Sequence, residues 1–320
     1  MKMSSIDMRD AFIGELYGRA RLDKNIIFMS NEYGAPSLDQ FRDDLPGQFV
    51  NAAISEQNLI STAAGMAMGG KRVYVYSIAS FITLRCLEQI KIDLCCMRVP
   101  VTIIGVGSCY AYSVDGPTHH ATEDISLMRA MANMQIYSPA DSNATASLVD
   151  VSLNSSDPMY IRLDKGKHPL LYEKNYDVSP GYSVFGDGED ICIVATGTMV
   201  HRAIEIGAEL RKHSVGTRII DMYRLKPVSP GNILQAIGRP KKVFTIEEHT
   251  IHGGLGSIIA EIMMDANLTI PFRRFAISDD LLYAYGERAN LQRCRMLDVD
   301  SVVKSILEGE FFRRGVQNVV

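Results

Sequence analysis

Between Phe49 and Ser77 the chain runs apolar, then polar and small, then apolar again, and the lengths of those runs permit few folds. Phe49–Ile54 reads as a strand, Ser55-Glu56 as a polar turn, the small-residue stretch up to Gly69-Gly70 as a helix, and Val73–Ser77 as a second strand. Strand, helix and strand in such close succession make a β-α-β unit, whose strands run parallel. In doubly wound sheets ligands bind beyond the carboxyl ends of the strands. Glu56 therefore stands at the mouth of a crevice, on a helix whose Ala and Gly positions allow close packing. Two readings stay open at this point. Ser55 can cap the helix while Glu56 complements its dipole, or the acid can face a ligand.

The same alternation extends over the rest of the chain. Ile26–Ser30 reads as a short buried strand followed by the polar turn Asn31-Glu32-Tyr33-Gly34. Ser80–Met97 places Leu84, Leu87, Ile90 and Leu94 at helical spacing, and Pro100–Val106 is a continuous apolar strand of the buried parallel type. The segment SCYAYSVDGPTHHATED that follows is too polar for core and too long for a plain connector. Helices at Ile125–Met131 and Asn143–Leu153 alternate with strands at Met134–Tyr137 and Met159–Leu163. Residues 167–189 carry prolines and glycines without periodicity, so a domain boundary is placed there, with domains of 1–178 and 179–320.

The second half repeats the pattern. Strands are expected at Ile191–Thr196, Thr217–Asp221, Lys242–Ile246 and Phe272–Ile277, with helices at Met199–Lys212, Pro230–Ile237 and Gly254–Asp265. The tail after Asp298 reads as one helix and a polar end. The fold class is α/β, with two domains that are each a largely parallel, doubly wound sheet.

Composition narrows the function. At 320 residues the chain has room for two cores, and a net charge of −4 gives no electrostatic case for nucleic acid or an anionic membrane. Six cysteines show neither paired metal spacing nor a CxxC, so they read as reduced core thiols. No apolar run approaches the ~20 residues of a membrane span, and the N-terminal segment, with acids inside it and no apolar core, reads as an amphipathic helix and not a signal. A cytoplasmic protein is expected.

Several groups converge on the edge that carries Glu56. Phe81 follows the strand Val73–Ser77. Asp115, His119 and His120 lie in the long polar loop, and Arg162 and Lys165 close the last strand of the first domain. Each has a plainer reading: Phe81 as core, the histidines as solvated, Arg162 as partner to a neighbouring carboxylate. Gly186-Asp187-Gly188 begins like a metal and diphosphate motif, but no Asn pair follows and the triplet precedes a strand, so it reads as a turn.

The segment AAISEQNLISTAAGMAMGGKRVYVYSIASF resembles the pyrimidine-binding domain of transketolases and 1-deoxyxylulose-5-phosphate synthases. DGPTHHATEDISLMRAMANMQIYSPAD follows the same family's DG-x-THQ…LR-x-x-PNM…P-x-D, and VATGTMVHRAIE with FTIEEHTIHGGLGS resembles its C-terminal domain. The likeness spans essentially the whole chain. A full-length transketolase begins with a diphosphate-binding domain carrying GDG…NN, so the resemblance is to the C-terminal subunit of a split transketolase.

That resemblance implies a thiamine diphosphate enzyme that transfers a two-carbon ketol unit from a ketose to an aldehyde. Glu56 is implied to hydrogen-bond the aminopyrimidine nitrogen, Phe81 to stack on the ring and Arg85 to reach it. Asp115 and His119 are implied to hold sugar hydroxyls, His119 also assisting proton transfer, and Arg162 to meet a sugar phosphate. Mg²⁺ ligands are expected on a partner subunit that carries the diphosphate side, in an α2β2 complex whose copies of this chain dimerise. Where relatives place a cation before the DG motif, this chain has Gly107-Ser108-Cys109-Tyr110, and Lys165 stands where synthases often carry Arg. A modified or non-phosphorylated sugar is therefore open. The rivals are the β subunit of a 2-oxo acid dehydrogenase, against which THH…LMRAMANM argues, and a catalytically silent subunit, against which Glu56 argues.

Overall fold

The computed structural model describes residues 5–31, 34 and 36–309. Two sheets form, and the first has the order β10-β5-β6-β4-β3-β1-β2. Its members are β1 (Ile26–Ser30), β2 (Phe49–Asn51), β3 (Arg72–Ile78), β4 (Val101–Val106), β5 (Gln135–Tyr137) and β6 (Met159–Leu163), joined at one edge by β10 (Arg224–Lys226). All these pairings are parallel except β10 with β5. β1, β4 and β6 are buried at every position, which is why their sequences are near-continuous apolar runs.

Helices cover both faces. On one face α1 (Met8–Ala20) and α6 (Ser142–Leu153) pack Phe12, Leu16, Leu148 and Val149 against Phe28, Tyr74 and Ile161. On the other, α3 (Glu56–Met68) lays Leu59, Ile60, Ala63 and Ala64 beside Val73, Val75 and Ile90. Further helices of this half are α2 (Pro36–Asp44) and α5 (Asp124–Ala130). The turn expected at residues 31–34 lies partly outside the described residues.

The second sheet has the order β12-β11-β8-β9-β7, from β7 (Ser183–Phe185), β8 (Ile191–Ala195), β9 (Thr217–Asp221), β11 (Lys242–Thr250) and β12 (Phe272–Ile277). Only the edge strand β7 runs antiparallel. Its helices are α7 (Met199–Lys212), α8 (Pro230–Ile237), α9 (Leu255–Asp265), α10 (Arg288–Cys294) and α11 (Val299–Leu307). The apolar core runs without interruption from Leu59 and Val75 to Cys192, Leu255 and Ile259 of the second half. Gly186-Asp187-Gly188 is a connector between β7 and β8, where a Cβ on Gly188 would lie 2.1 Å from the Thr217 nitrogen.

Five expectations need correction. β2 ends at Asn51 and not at Ile54, because the Asn51 side chain accepts from the Ala53 N–H, Ala53 takes φ +51° and Ile54 is left exposed. The helix expected over 80–97 forms, but as π-helical turns at Phe81–Arg85 and Ile90–Cys96 around a short α4 (Leu87–Gln89). The wider i→i+5 turns shift the faces by about one residue each, which leaves Leu84 half-exposed. β11 runs on to Thr250, so Glu247, Glu248 and His249 are buried strand residues. The polar loop 108–124 hides Cys109, Tyr110 and His120, with Cys109 and Ala121 exchanging backbone hydrogen bonds. Of the six thiols, Cys96 and Cys294 are exposed.

Candidate active site

Because β1, β2, β3, β4 and β6 are parallel, the segments that leave them emerge on one edge of the first sheet. Glu56 opens α3 just beyond β2 and is 2% exposed. Ser55 does not cap the helix; its hydroxyl donates to the Ala52 carbonyl. The turn before it is fixed from β1, where the Asn31 side-chain amide donates to the Ala53 carbonyl at 2.6 Å.

The π turn after β3 brings two further residues to Glu56. Arg85 Nη1 donates to Glu56 Oε2 at 2.7 Å, and the Arg85 guanidinium carbon lies 4.8 Å from the centre of the Phe81 ring. A buried carboxylate needs such a partner to balance its charge. Phe81 in turn meets the His119 ring at 4.9 Å in an edge-to-face arrangement. Thr118 Oγ1 is 3.0 Å from His119 Nδ1, and the Tyr112 ring lies 5.9 Å from that imidazole. Lys165, beyond β6, places its ammonium 4.6 Å from the centre of the Tyr112 ring. Strand ends far apart in sequence thus deliver an acid, two cations and three aromatic rings in one continuous line.

Not every residue expected at the edge joins this line. Asp115 is exposed on the same loop, and among the described residues no hydrogen bond or ion pair engages its carboxylate. Arg162 is buried in the seam between the domains. Its Nε donates to Asp124 Oδ2 at 2.7 Å, Tyr160 donates to the same oxygen, and Nη2 reaches the carbonyls of Ala121 and Glu248. The partner-to-a-carboxylate reading of Arg162 is the arrangement seen. His120 packs edge-on against Tyr110, and burial pushes its imidazole below the usual histidine range.

The line also includes residues that sequence reasoning passed over. Tyr112 carries no motif signal, but a Cβ on Gly107 would lie 2.0 Å from its Cε2, so only glycine lets the ring sit there. Gly107 also takes φ +90°. Asn31 Oδ1, Ser77 Oγ and Ser80 Oγ are buried without hydrogen-bond partners among the described residues. All three stand at the carboxyl ends of β1 and β3, on the sheet edge that carries Glu56 and Phe81. A buried acid, a half-buried aromatic face and unpaired buried polar atoms suit a planar, nitrogen-rich ring with donors and acceptors on its rim. Among the described residues no group of three or more His, Cys, Asp or Glu side chains could hold a metal ion. A cleft of about 710 Å³ lined by Tyr172, Tyr176 and Phe185 shares no lining residue with this cluster. No helix among the described residues is long and apolar enough to cross a membrane.

Comparison with known proteins decides the family. The profile for the transketolase pyrimidine binding domain matches residues 4–169, and that for the transketolase C-terminal domain matches residues 183–302. The chain belongs to the transketolase family. It is 33% identical over 311 residues to one of the subunits of the apulose-4-phosphate transketolase of Phocaeicola vulgatus, a match covering 96% of this chain and 99% of that one. It is 28% identical to a 6-deoxy-6-sulfo-D-fructose transketolase subunit of Clostridium sp. strain MSTE9, covering 87% of each chain. Among solved structures, a split-gene transketolase described as an inactive β4 tetramer superposes with a TM-score of 0.84 at 29% identity, covering 95% of this chain and 98% of that one. The two sheets are therefore the transketolase pyrimidine and C-terminal domains, and members of this family use thiamine diphosphate.

Proposed function

We propose that this chain is the pyrimidine-side subunit of a thiamine diphosphate-dependent enzyme that moves a two-carbon ketol unit from a ketose to an aldehyde acceptor, and that it works only with a diphosphate-side partner subunit. Residues 1–178 would carry the pyrimidine side and 179–320 the C-terminal domain. The observation that carries the reading is Glu56, a buried carboxylate at a helix start, joined through Arg85 and Phe81 to His119. A silent subunit has no need to keep an acid buried at such a place.

When bound, the cofactor supplies the electron sink for breaking and remaking a carbon–carbon bond. The protein's share is orientation and proton handling. Glu56 would hold the ring nitrogen through a carboxylate oxygen, in a position its burial closes to water. Phe81 offers its face to the ring. His119, in ring contact with Phe81, would take or return a proton at a sugar hydroxyl, and the exposed Asp115 on the same loop would hold a further hydroxyl. Mg²⁺ and the diphosphate fall to the partner subunit.

Lys165 and Tyr112 bear on the sugar. With Arg162 paired inside the seam, Lys165 is the cation from the end of β6 that stands beside the His119 line. Relatives are named for apulose 4-phosphate and for a sulfonated fructose, both anionic and both modified sugars. A modified ketose bearing a phosphate or sulfonate is therefore the proposed donor class. A point-charge ammonium accepts either group, having no planar fork to match.

The test is reconstitution. The chain mixed with its partner subunit, thiamine diphosphate and Mg²⁺ should transfer a ketol unit, and the isolated chain should not. Tight stoichiometric binding of thiamine diphosphate by this chain alone, seen by calorimetry, would exclude the split arrangement. Light scattering should show the pure chain self-associating and the mixture forming α2β2. A strictly monomeric chain that forms only a one-to-one complex would exclude that assembly.

A further inference from the structure

We infer that Arg85 competes with the aminopyrimidine ring for its own binding surfaces, so that the guanidinium must leave Glu56 and Phe81 before the ring can take them. The inference rests on the reading above that Glu56 and Phe81 receive that ring.

Arg85 and the aminopyrimidine ring match in chemistry. A guanidinium is a flat, delocalised N–C–N group with N–H donors on its rim and a face that stacks on aromatic rings. A 4-aminopyrimidine presents the same features: a flat ring, an N–C–N edge and a stacking face. Arg85 makes both contacts that such a ring needs. Its Nη1 donates to Glu56 Oε2 at 2.7 Å, and its guanidinium carbon stands over the Phe81 ring at 4.8 Å. One planar group cannot hold both surfaces while another does.

The mobility of the two partners differs in the required sense. The Glu56 side chain is 1% exposed and belongs to the first turn of α3, so it stays where it is. The Arg85 side chain is 46% exposed and flexible, with solvent on one side to receive its charge. Arg85 can therefore withdraw into water, and the incoming ring then takes over the contact with the buried Glu56 carboxylate. While it stays, it balances the charge of a buried carboxylate. Arg85 thus stabilises the site and lowers its apparent affinity through one and the same contact, since a site open for only part of the time binds in proportion to that fraction.

The sign of the effect separates this role from its opposite. If Arg85 instead grips the bound ring, losing the guanidinium weakens cofactor binding. If it competes, losing the guanidinium strengthens it. Arg85→Met keeps the apolar stem and removes the cation. Arg85→Lys keeps a charge for Glu56 but loses the flat stacking group, so its affinity should fall between wild type and Met.

The experiment is calorimetric titration of thiamine diphosphate, with Mg²⁺, into the complex of full-length chain and partner subunit, read as Kd and not as turnover. Arg85→Met should bind about 10-fold tighter than wild type, as for a site otherwise open about one-tenth of the time. An unchanged or weaker Kd in Arg85→Met overturns the inference. If Arg85→Met does not fold, as judged by circular dichroism, Arg85→Lys decides: tighter binding than wild type supports competition, and equal or weaker binding overturns it. Failure of the wild-type complex to bind thiamine diphosphate at all would overturn the underlying reading as well, which makes the two failures distinguishable.

Discussion

Asp164 and Arg288 meet at 2.7 Å across the seam between the two sheets, and each also holds something else in place. Asp164 Oδ1 accepts from the Lys165 N–H as well, and Oδ2 accepts from the Thr198 hydroxyl. Arg288 forks onto Glu248 with Nε and Nη2, and Gln292 donates to the same carboxylate. Burial alone would raise the Asp164 carboxyl, but Arg288, His168 and the Thr198 hydroxyl together hold it below the usual aspartate range. The turn that presents Lys165 to Tyr112 is thus braced by the C-terminal domain. Arg288→Met would leave two buried carboxylates without their cation. It should cost about 3 kcal/mol or more, read as a lower urea midpoint at unchanged slope. A loss under ~1 kcal/mol would show that the seam tolerates the unpaired charges.

Glu56→Gln should leave the fold intact and nearly abolish turnover in the reconstituted complex. A positioned proton-transfer group contributes roughly 100-fold at the least. Circular dichroism must match wild type for the comparison to count, and near-normal turnover would return Glu56 to a structural role at the helix start.

His119→Ala should harm turnover more than cofactor affinity, since the imidazole stands beyond Phe81 from Glu56. Gly107→Ala reaches the same wall from behind. Its new methyl would strike Tyr112 and force a φ that only glycine takes easily. At least ~10-fold should be lost from kcat/KM for the sugar, with thiamine diphosphate Kd held within about 2-fold, a difference of ~0.4 kcal/mol. Equal losses in both would place this wall against the cofactor.

Asp221 is fully buried, accepts from the Tyr172 hydroxyl at 2.6 Å through Oδ2 and has no partner at Oδ1 among the described residues. Burial pushes its carboxyl up to about 8, with Asp141 adding to the effect and the Tyr172 hydrogen bond opposing it. An acid raised by folding binds more protons folded than unfolded. Stability from this group is therefore full below about pH 4 and is lost as pH rises through 8. Asp221→Asn should remove that slope, so its thermal midpoint should gain on wild type steadily between pH 5 and 8. Parallel pH profiles for the two proteins would refute the assignment.

The parallel strands were legible because strands buried on two faces are written as apolar runs, as in Ile26–Ser30 and Met159–Leu163, whereas the short antiparallel edge strands β7 and β10 carry no such run and were not legible. Legibility failed where one residue's hydrogen bonding ended or extended an element. Asn51 terminates β2 through its own side chain, and β11 continues through three polar residues because the Leu255 and Gly256 N–H groups satisfy Glu247. The π turns were invisible because Leu84, Leu87, Ile90 and Leu94 keep an α-helical spacing, and nothing in that spacing marks the extra residue each wider turn takes in. At the edge of the first sheet, Glu56, Phe81 and His119 could be singled out because each follows a strand end, and Arg85 through the resemblance alone. Arg162 and Lys165 are three positions apart, and only tertiary packing shows that the first turns inward to Asp124. The brace from Arg288 joins residues 124 positions apart, and no local pattern records it.

Strand β10 makes the two halves a dovetail. After the chain has passed to the second sheet it returns to lay Arg224–Lys226 along β5, and Lys226 Nζ ties down the carbonyls of Arg129 and Met131. The exposed Glu173-Lys174-Asn175 tip of the linker offers a protease an entry at Lys174. A cut there severs the peptide and nothing else that holds the halves together. Trypsin should produce two fragments on a denaturing gel that elute as one body from a sizing column, so a break in the backbone is not a break in the molecule.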